Sequence, residues 1–525
     1  MSLNHIYIVL VVALTPSISN GLVATGFVFN DSNGNRLRDS GEVGVANVLV
    51  SNGADVVKTD SEGRYRLSVT DDTTIFVIKP DGWDVPVNEL NIPQYYYIHK
   101  AAGSPELKYA GVEPTGPLPE SIDFSLTASS DTHEAFTMLA FGDPQPYSLT
   151  EVDYFARDIV SELINTDKAE FGVVLGDIVG DNLDLFTPVN EAVSKVGIPF
   201  YYVYGNHDMN FDAESDDLAD ETFERVYGPA NYAFMRGDVL FITFDDVLYP
   251  QSITKSRYTG GFTEKQLTFA KNLLEHVPTD TLIVSMMHIP LFDEWIGDTF
   301  VDAHREAYFN LFENHPRGLS LSAHTHKQQH VLFGKEEGWP HDDTEHHHYN
   351  VGTTSGSWWN GAPDTRGIPH TTMRDGTPNG YAFINFDGNK YTVDYKVAGS
   401  DESDRMNIFL PKVIEHRGGA APFAVNIYNA TEKATVEYRI NDGDWRSIPK
   451  MNIRDPHYVK WEIARATSSE LLPGESLPVG EISSHIWAKR FSGNLPVGTH
   501  SVEVRYTDIY GRTFSESQTV RVVKR

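Results

Sequence analysis

Five short runs in the middle of the chain place ligand-capable side chains directly after apolar stretches of strand length. They are Gly142-Asp143-Pro144-Gln145, Gly176-Asp177-Ile178-Val179-Gly180-Asp181-Asn182, Gly205-Asn206-His207-Asp208, His288-Ile289-Pro290 and Ala323-His324-Thr325-His326. Carboxylate, amide and imidazole at the carboxyl ends of α/β strands lie where such folds put their active sites. One such run alone would mean little. A single Asp after a strand is usually a helix cap, and a single His is usually a hydrogen-bonded core or surface residue. Five in this order are not accidental.

The elements that must position them follow from periodicity. Residues 136–141, 171–175, 200–204 and 282–287 are apolar runs of strand length, whereas Val152, Phe155, Ala156, Ile159, Val160 and Leu163 recur at helical spacing. Thr263 with Gln266 predicts a capping box that opens a helix running through Leu273 and Leu274. Alternating strands and helices predict an α/β layered domain over residues 132–403. On its N-terminal side, residues 20–127 read as short strands with Gly-rich turns. Arg64-Tyr65-Arg66-Leu67-Ser68-Val69 alternates, and a linker-like stretch holds Pro114, Pro117 and Pro119. Residues 405–525 read as antiparallel strands with turns at Asn441-Asp442-Gly443 and Tyr510-Gly511, and without helices. The expected architecture is a multidomain chain, with a central α/β layered domain flanked by two β-sandwich domains.

Composition narrows the function. The chain has 525 residues, too many for one ordinary core, and 42 basic against 73 acidic residues give a formal charge of −31. Such a surface repels polyanions, which argues against nucleic acid as a partner and makes a nuclease a poor reading. With no cysteine, disulfides, thiolate metal ligands and thiol nucleophiles are excluded. Residues 6–14 (IYIVLVVAL), followed by small residues at cleavage spacing, read as a secretory signal peptide over 1–19, with a buried first strand as the alternative. That run is about half of the roughly 20 apolar residues that a membrane span needs, and no later segment is long enough. The expected location is periplasmic or secreted.

The five runs resemble the signature of calcineurin-like metallophosphoesterases, whose series is Asp-x-His, Gly-Asp, Gly-Asn-His-Asp, His and Gly-His-x-His. Carried over by position, the resemblance implies one metal on Asp143, Asp177 and His326, and a second on Asp177, Asn206, His288 and His324, with Asp177 bridging. Two divalent ions, Mn, Fe or Zn, would clamp a phosphoryl group and hold a bridging hydroxide against a phosphate-ester substrate. The resemblance implies that His207 faces the substrate, stabilising the phosphoryl group or protonating the leaving oxygen, with Asp181 or Asp208 orienting its ring. Gln145 stands where the pattern usually has His. Its amide oxygen can serve directly or through water, which should weaken that site or favour a harder ion. Ala323 replaces the usual Gly.

Three further features stand outside the series. His346-His347-His348 reads as a solvated loop or an adventitious metal-binding tract. Trp358 and Trp359 read as hinge packing or as a platform for an organic group, and Arg374 as a phosphate contact. Asp31, Asn33, Asn35, Asp39 and Glu42 fall at positions 1, 3, 5, 9 and 12 of a calcium-type loop, with Arg36 where Gly is usual; the alternative is an acidic turn. This domain resembles calcium-loaded β-sandwich modules of bacterial surface proteins. Taken together, the expected function is hydrolysis of phosphate esters outside the cytoplasm. A non-catalytic surface or carbohydrate-binding protein on a degraded phosphoesterase fold is the alternative, favoured only by Gln145.

Overall fold

In the computed structural model, residues 21–129, 134–250, 257–292, 299–467 and 477–525 are described. The leader therefore lies outside the described residues. Strand Arg64–Val69 alternates exposed and buried side chains without a break and pairs antiparallel with Leu22–Asn30. Leu22–Asn30 also pairs parallel with Phe124–Ala128, so the chain beyond the prolines returns to the N-terminal sheets. Together with Trp83–Asp84 they form one four-stranded sheet; Val56–Lys58, Leu49–Ser51, Asp72–Ile78 and Tyr96–Lys100 form another. The Pro-containing stretch is pinned at its start. The Thr115 amide donates to Lys100 O at 3.0 Å, and the Tyr109 hydroxyl reaches Asp181 O at 3.3 Å.

The central region holds two facing sheets. One runs in the order Phe200–Val203, Phe171–Leu175, Ala135–Phe141, Gly380–Asp387, Lys390–Val397, and its first three strands are parallel. The other runs Tyr232–Arg236, Val239–Thr243, Leu282–Met286, Gly318–Ser322, His346–Asn350, Gln329–Phe333. Their inner faces meet through Phe rings: Phe171 and Phe386 of the first sheet lie edge-on to Phe241 of the second, at 5.4 and 5.5 Å between centroids. Each such buried ring contributes about 1.5–3 kcal/mol of transfer free energy, which fixes the sheets and the strand ends they present. The helix Glu264–Leu274 opens with the expected Thr263–Gln266 capping box.

Two expectations fail here. The His346-His347-His348 run is no solvated loop; it begins the strand His346–Asn350, every residue of which is buried. Ser320 and Ser322 on the neighbouring strand supply its hydrogen bonds, with Ser320 Oγ 2.7 Å from His346 Nε2 and 2.6 Å from His348 Nδ1. Burial keeps these rings neutral, holding His346 down at about 3. The C-terminal region does contain a helix, Pro456–Thr467, beside sheets of three and five strands. Phe423, Trp487, Phe491, Val502 and Val504 form its core. Among the described residues, no helix is long and apolar enough to cross a membrane.

Candidate metal centre

Three of the five runs leave their strands through backbone of positive φ. Asp143, Gln145, Asp177, His324 and His326 have φ of 33°, 40°, 47°, 67° and 52°. That region is costly for side chains with a Cβ, and such strain concentrates at functional sites. Close approach explains the glycines before two of the motifs. A Cβ on Gly176 would lie 2.4 Å from His288 Nδ1, and one on Gly205 would lie 2.1 Å from Asp177 N. Ala323 is tolerated because the positive φ values fall on His324 and His326 instead.

The imidazoles are oriented from behind. His288 Nδ1 lies 2.8 Å from Leu175 O, an acceptor, so this nitrogen carries the hydrogen. Its Nε2 then faces Asn206 Oδ1 at 3.1 Å, His324 Nδ1 at 3.2 Å and Asp177 Oδ1 at 3.3 Å. His326 repeats the arrangement, with Nδ1 on Gly356 O and Nε2 3.4 Å from Asp143 Oδ2. Lone pairs aimed at one another in a buried site repel unless a proton or a cation lies between them. Asp143 Oδ2 and Gln145 Oε1, both buried, have no hydrogen-bond partner at all. These residues fit divalent cations.

The charge balance carries the same message. Burial pushes Asp143 up to about 7, with Asp177 adding to the rise and His288 opposing it. Burial also disfavours the Asp177 carboxylate, yet His288 and His207 outweigh it and hold that group below the usual range. His288, although buried, is held up at about 10 by Asp177 and Asp143, whereas burial and His288 press His324 far down. One buried proton thus does part of what cations would do.

His207 is partly exposed. Its backbone amide donates to Asp177 Oδ1 at 2.8 Å, and its Nδ1 lies 2.6 Å from Asp181 Oδ1. Burial opposes its protonation, but Asp177 and Asp181 raise it to about 9. Asp208 does not orient this ring. Its carboxylate accepts the amides of Gly205 at 3.0 Å and of Ile178 and Val179 at 3.2 Å, tying two of the ligand loops together.

The remaining expectations divide. Trp358 lies against His326, its ring tilted 32° from the imidazole with centroids 4.1 Å apart, and stays partly exposed. Trp359 is buried and directs its Nε1 at Pro144 O, so it is packing and not a platform. Arg374 is committed to Glu481 and to the Thr325 carbonyl, which departs from a phosphate contact. Sequence reasoning missed Asp246, whose Oδ1 accepts the amides of His288 and Ile289 at 3.1 Å. It also missed Asn350, which donates to Thr325 Oγ1 and Lys327 O, each at 2.8 Å. Asp246 follows the strand Val239–Thr243 by three residues, the same strand-end signal that marked the other motifs.

The calcium-type loop lies in the N-terminal region. Asp31 Oδ1 accepts Gly34 N at 2.8 Å and Asn35 N at 3.2 Å, and both Asn33 and Asn35 amides reach Asp39 Oδ2 at 2.8 Å. Arg36 takes φ 64°, the conformation that Gly usually supplies there.

Family models describing the N terminal, the main part and the C terminal of calcineurin-like phosphoesterase match residues 31–110, 124–328 and 348–514, in chain order. The chain belongs to the calcineurin-like phosphoesterase family. It is a metal-dependent hydrolase of phosphoesters. No curated protein matches it in sequence. Among solved structures, purple acid phosphatase PPD1 from yellow lupin (Lupinus luteus) seeds is 12% identical, over 73% of this chain and 67% of its own, with a TM-score of 0.36. PhoD is 11% identical over 83% and 92%, with a TM-score of 0.38. A metallophosphoesterase from Sphaerobacter thermophilus is 15% identical over 50% and 89%, with a TM-score of 0.23. Likeness at this level gives no residue-by-residue correspondence.

Proposed function

We propose that the protein hydrolyses phosphate esters at a two-cation centre, outside the cytoplasm. Asp143, Gln145, Asp177 and His326 would hold one ion, and Asp177, Asn206, His288 and His324 the other. Such ions draw charge from phosphoryl oxygens and make water nucleophilic at neutral pH. His207 faces the substrate as a cation, kept in that state by Asp177 and in that orientation by Asp181. As an imidazolium it donates a hydrogen bond to the phosphoryl group or a proton to the leaving oxygen. The Trp358 face beside His326 receives the organic part of the ester. The leader at 1–19 would take the chain to the periplasm or the medium, and the loop Asp31 to Glu42 would hold a structural Ca²⁺.

The observation that carries this reading is the convergence of His288 Nε2 with Asn206, Asp177 and His324, where a single proton on that nitrogen cannot answer all three. Chelator-stripped protein should turn over a chromogenic phosphate ester only after Mn²⁺ or Zn²⁺ is restored. Equal turnover with and without chelator would sink the two-cation centre. A protein that stays inert under every divalent ion would instead favour the degraded fold.

A further inference from the structure

The turn carrying His324 and His326 is gripped by Arg374 and Asp375 and, through them, by Glu481 and His485 of the C-terminal region. Thr325, between the two imidazoles, gives its carbonyl to Arg374 Nη2, while Arg374 Nη1 donates to Glu481 Oε1 at 2.7 Å. The other oxygen of Glu481 accepts Lys327 Nζ at 3.0 Å, and its backbone amide donates to Arg374 O at 2.7 Å. One residue beyond Lys327, the Gln328 amide donates to Asp375 Oδ2 at 2.8 Å, and His485 Nε2 lies 3.0 Å from that same oxygen. Within its own region the turn is held by Asn350.

We propose that Glu481 is a positioning residue for the metal centre, an inference that rests on the two-cation reading above. His324 and His326 both hold positive φ, which a free turn would relax, so something outside it must over-determine it. The Arg374 fork does so at Thr325 O, but Arg374 is 13% exposed and Lys327 is 10% exposed. Two poorly solvated cations of like charge stay beside one another only with a carboxylate between them. Glu481 supplies such a carboxylate, with one oxygen for each. Without it Arg374 loses an anchor, its hold on Thr325 O loosens, and the two imidazoles lose part of what fixes their angle to Asp177 and Asp143.

The test uses the full chain. Mn²⁺ binding by equilibrium dialysis, turnover of a chromogenic phosphate ester and thermal unfolding are compared for wild type, Glu481→Gln and Glu481→Ala. Lys433→Ala is the control, since it breaks the contact between Lys433 and Glu345, another pair joining these regions. The dissociation constant for Mn²⁺ should rise roughly 10-fold in Glu481→Ala, the scale on which residues behind metal ligands act. Glu481→Gln, which keeps an oxygen for Arg374 but no charge, should fall between. The KM should stay near wild type, and Lys433→Ala should bind Mn²⁺ normally. Unchanged Mn²⁺ binding by Glu481→Ala overturns the proposal. So does a fall in KM at unchanged Mn²⁺ affinity, which would make Arg374 a substrate clamp that Glu481 restrains. Equal weakening by Lys433→Ala would assign the effect to docking in general. A wild type that binds no Mn²⁺ would take the two-cation reading down as well.

Discussion

Two regions of this molecule gather oxygen and nitrogen ligands at motif spacing, and their hydrogen bonding is opposite. In the loop from Asp31 to Glu42 the carboxylates are spent on the loop itself. Asp31 accepts the amides of Gly34, Asn35 and Arg36, and Glu42 accepts those of Ser32 and Asp39. At the strand ends the candidate ligands face one another. Asp143 Oδ2 and Gln145 Oε1 are buried with no donor, and two imidazole nitrogens point at acceptors. Ligand spacing is equally good in both places. The difference is demand: the loop is satisfied and largely exposed without a cation, whereas the centre carries a desolvation cost that only a cation or trapped protons can relieve.

The sharpest way to use that contrast is to alter the centre without touching a ligand. His207→Ala should lower turnover by roughly 10²-fold while metal content stays at the wild-type level, because the ring bonds to Asp181 and leaves the ligands to others. Elemental analysis alongside the rate decides it. Loss of metal in step with activity would place His207 among the ligands and leave the substrate side without its proton donor.

A smaller effect is expected at Gln145. Its Nε2 donates to Asp177 Oδ2 at 3.2 Å, which leaves Oε1 as the unsatisfied atom. Replacing that weak amide oxygen by imidazole, Gln145→His, should lower the metal concentration needed for half-maximal turnover by about 10-fold or less. A titration curve that does not move would put Gln145 outside the coordination sphere, and its orphaned oxygen would then need another explanation.

How much of this was legible in the sequence depended on the range of the interaction. The places of the five candidate runs could be read because each follows its own strand, and the capping box at Thr263 because both partners lie within one turn. Misreadings occurred where the partner is far along the chain. The His346-His347-His348 run looks solvated until Ser320 and Ser322 are laid against it, 26 and 28 residues away for the Ser320 bonds. Arg374 looks like a phosphate clamp until Glu481, 107 residues on, is seen holding it. The choice between Asp181 and Asp208 had the same origin. Asp208 is the chain neighbour of His207 and Asp181 lies 26 residues before it, but Asp208 is captured by the amides of Ile178 and Val179, a contact that no local spacing announces.

The smallest effect belongs to the N-terminal loop, and it should be one of stability alone. Three carboxylates in a short exposed loop still repel one another, and Arg36 already holds the backbone conformation that a calcium-type loop needs at its sixth position. Because its oxygens must be withdrawn from existing amide bonds, the affinity should sit at the weak end, with a dissociation constant of about 10⁻³ M. At about 10 mM Ca²⁺, binding to the folded loop alone then adds about 1.4 kcal/mol. Melting is best followed in saturating Mn²⁺, so that the strand-end centre is occupied throughout, with Glu42→Gln as the comparison. Wild type should gain stability on adding Ca²⁺, Glu42→Gln should gain much less, and turnover should be the same in both. If the Ca²⁺ shift is equal in the two proteins, Ca²⁺ acts elsewhere. The loop is then an acidic turn whose carboxylates are fully answered by its own amides.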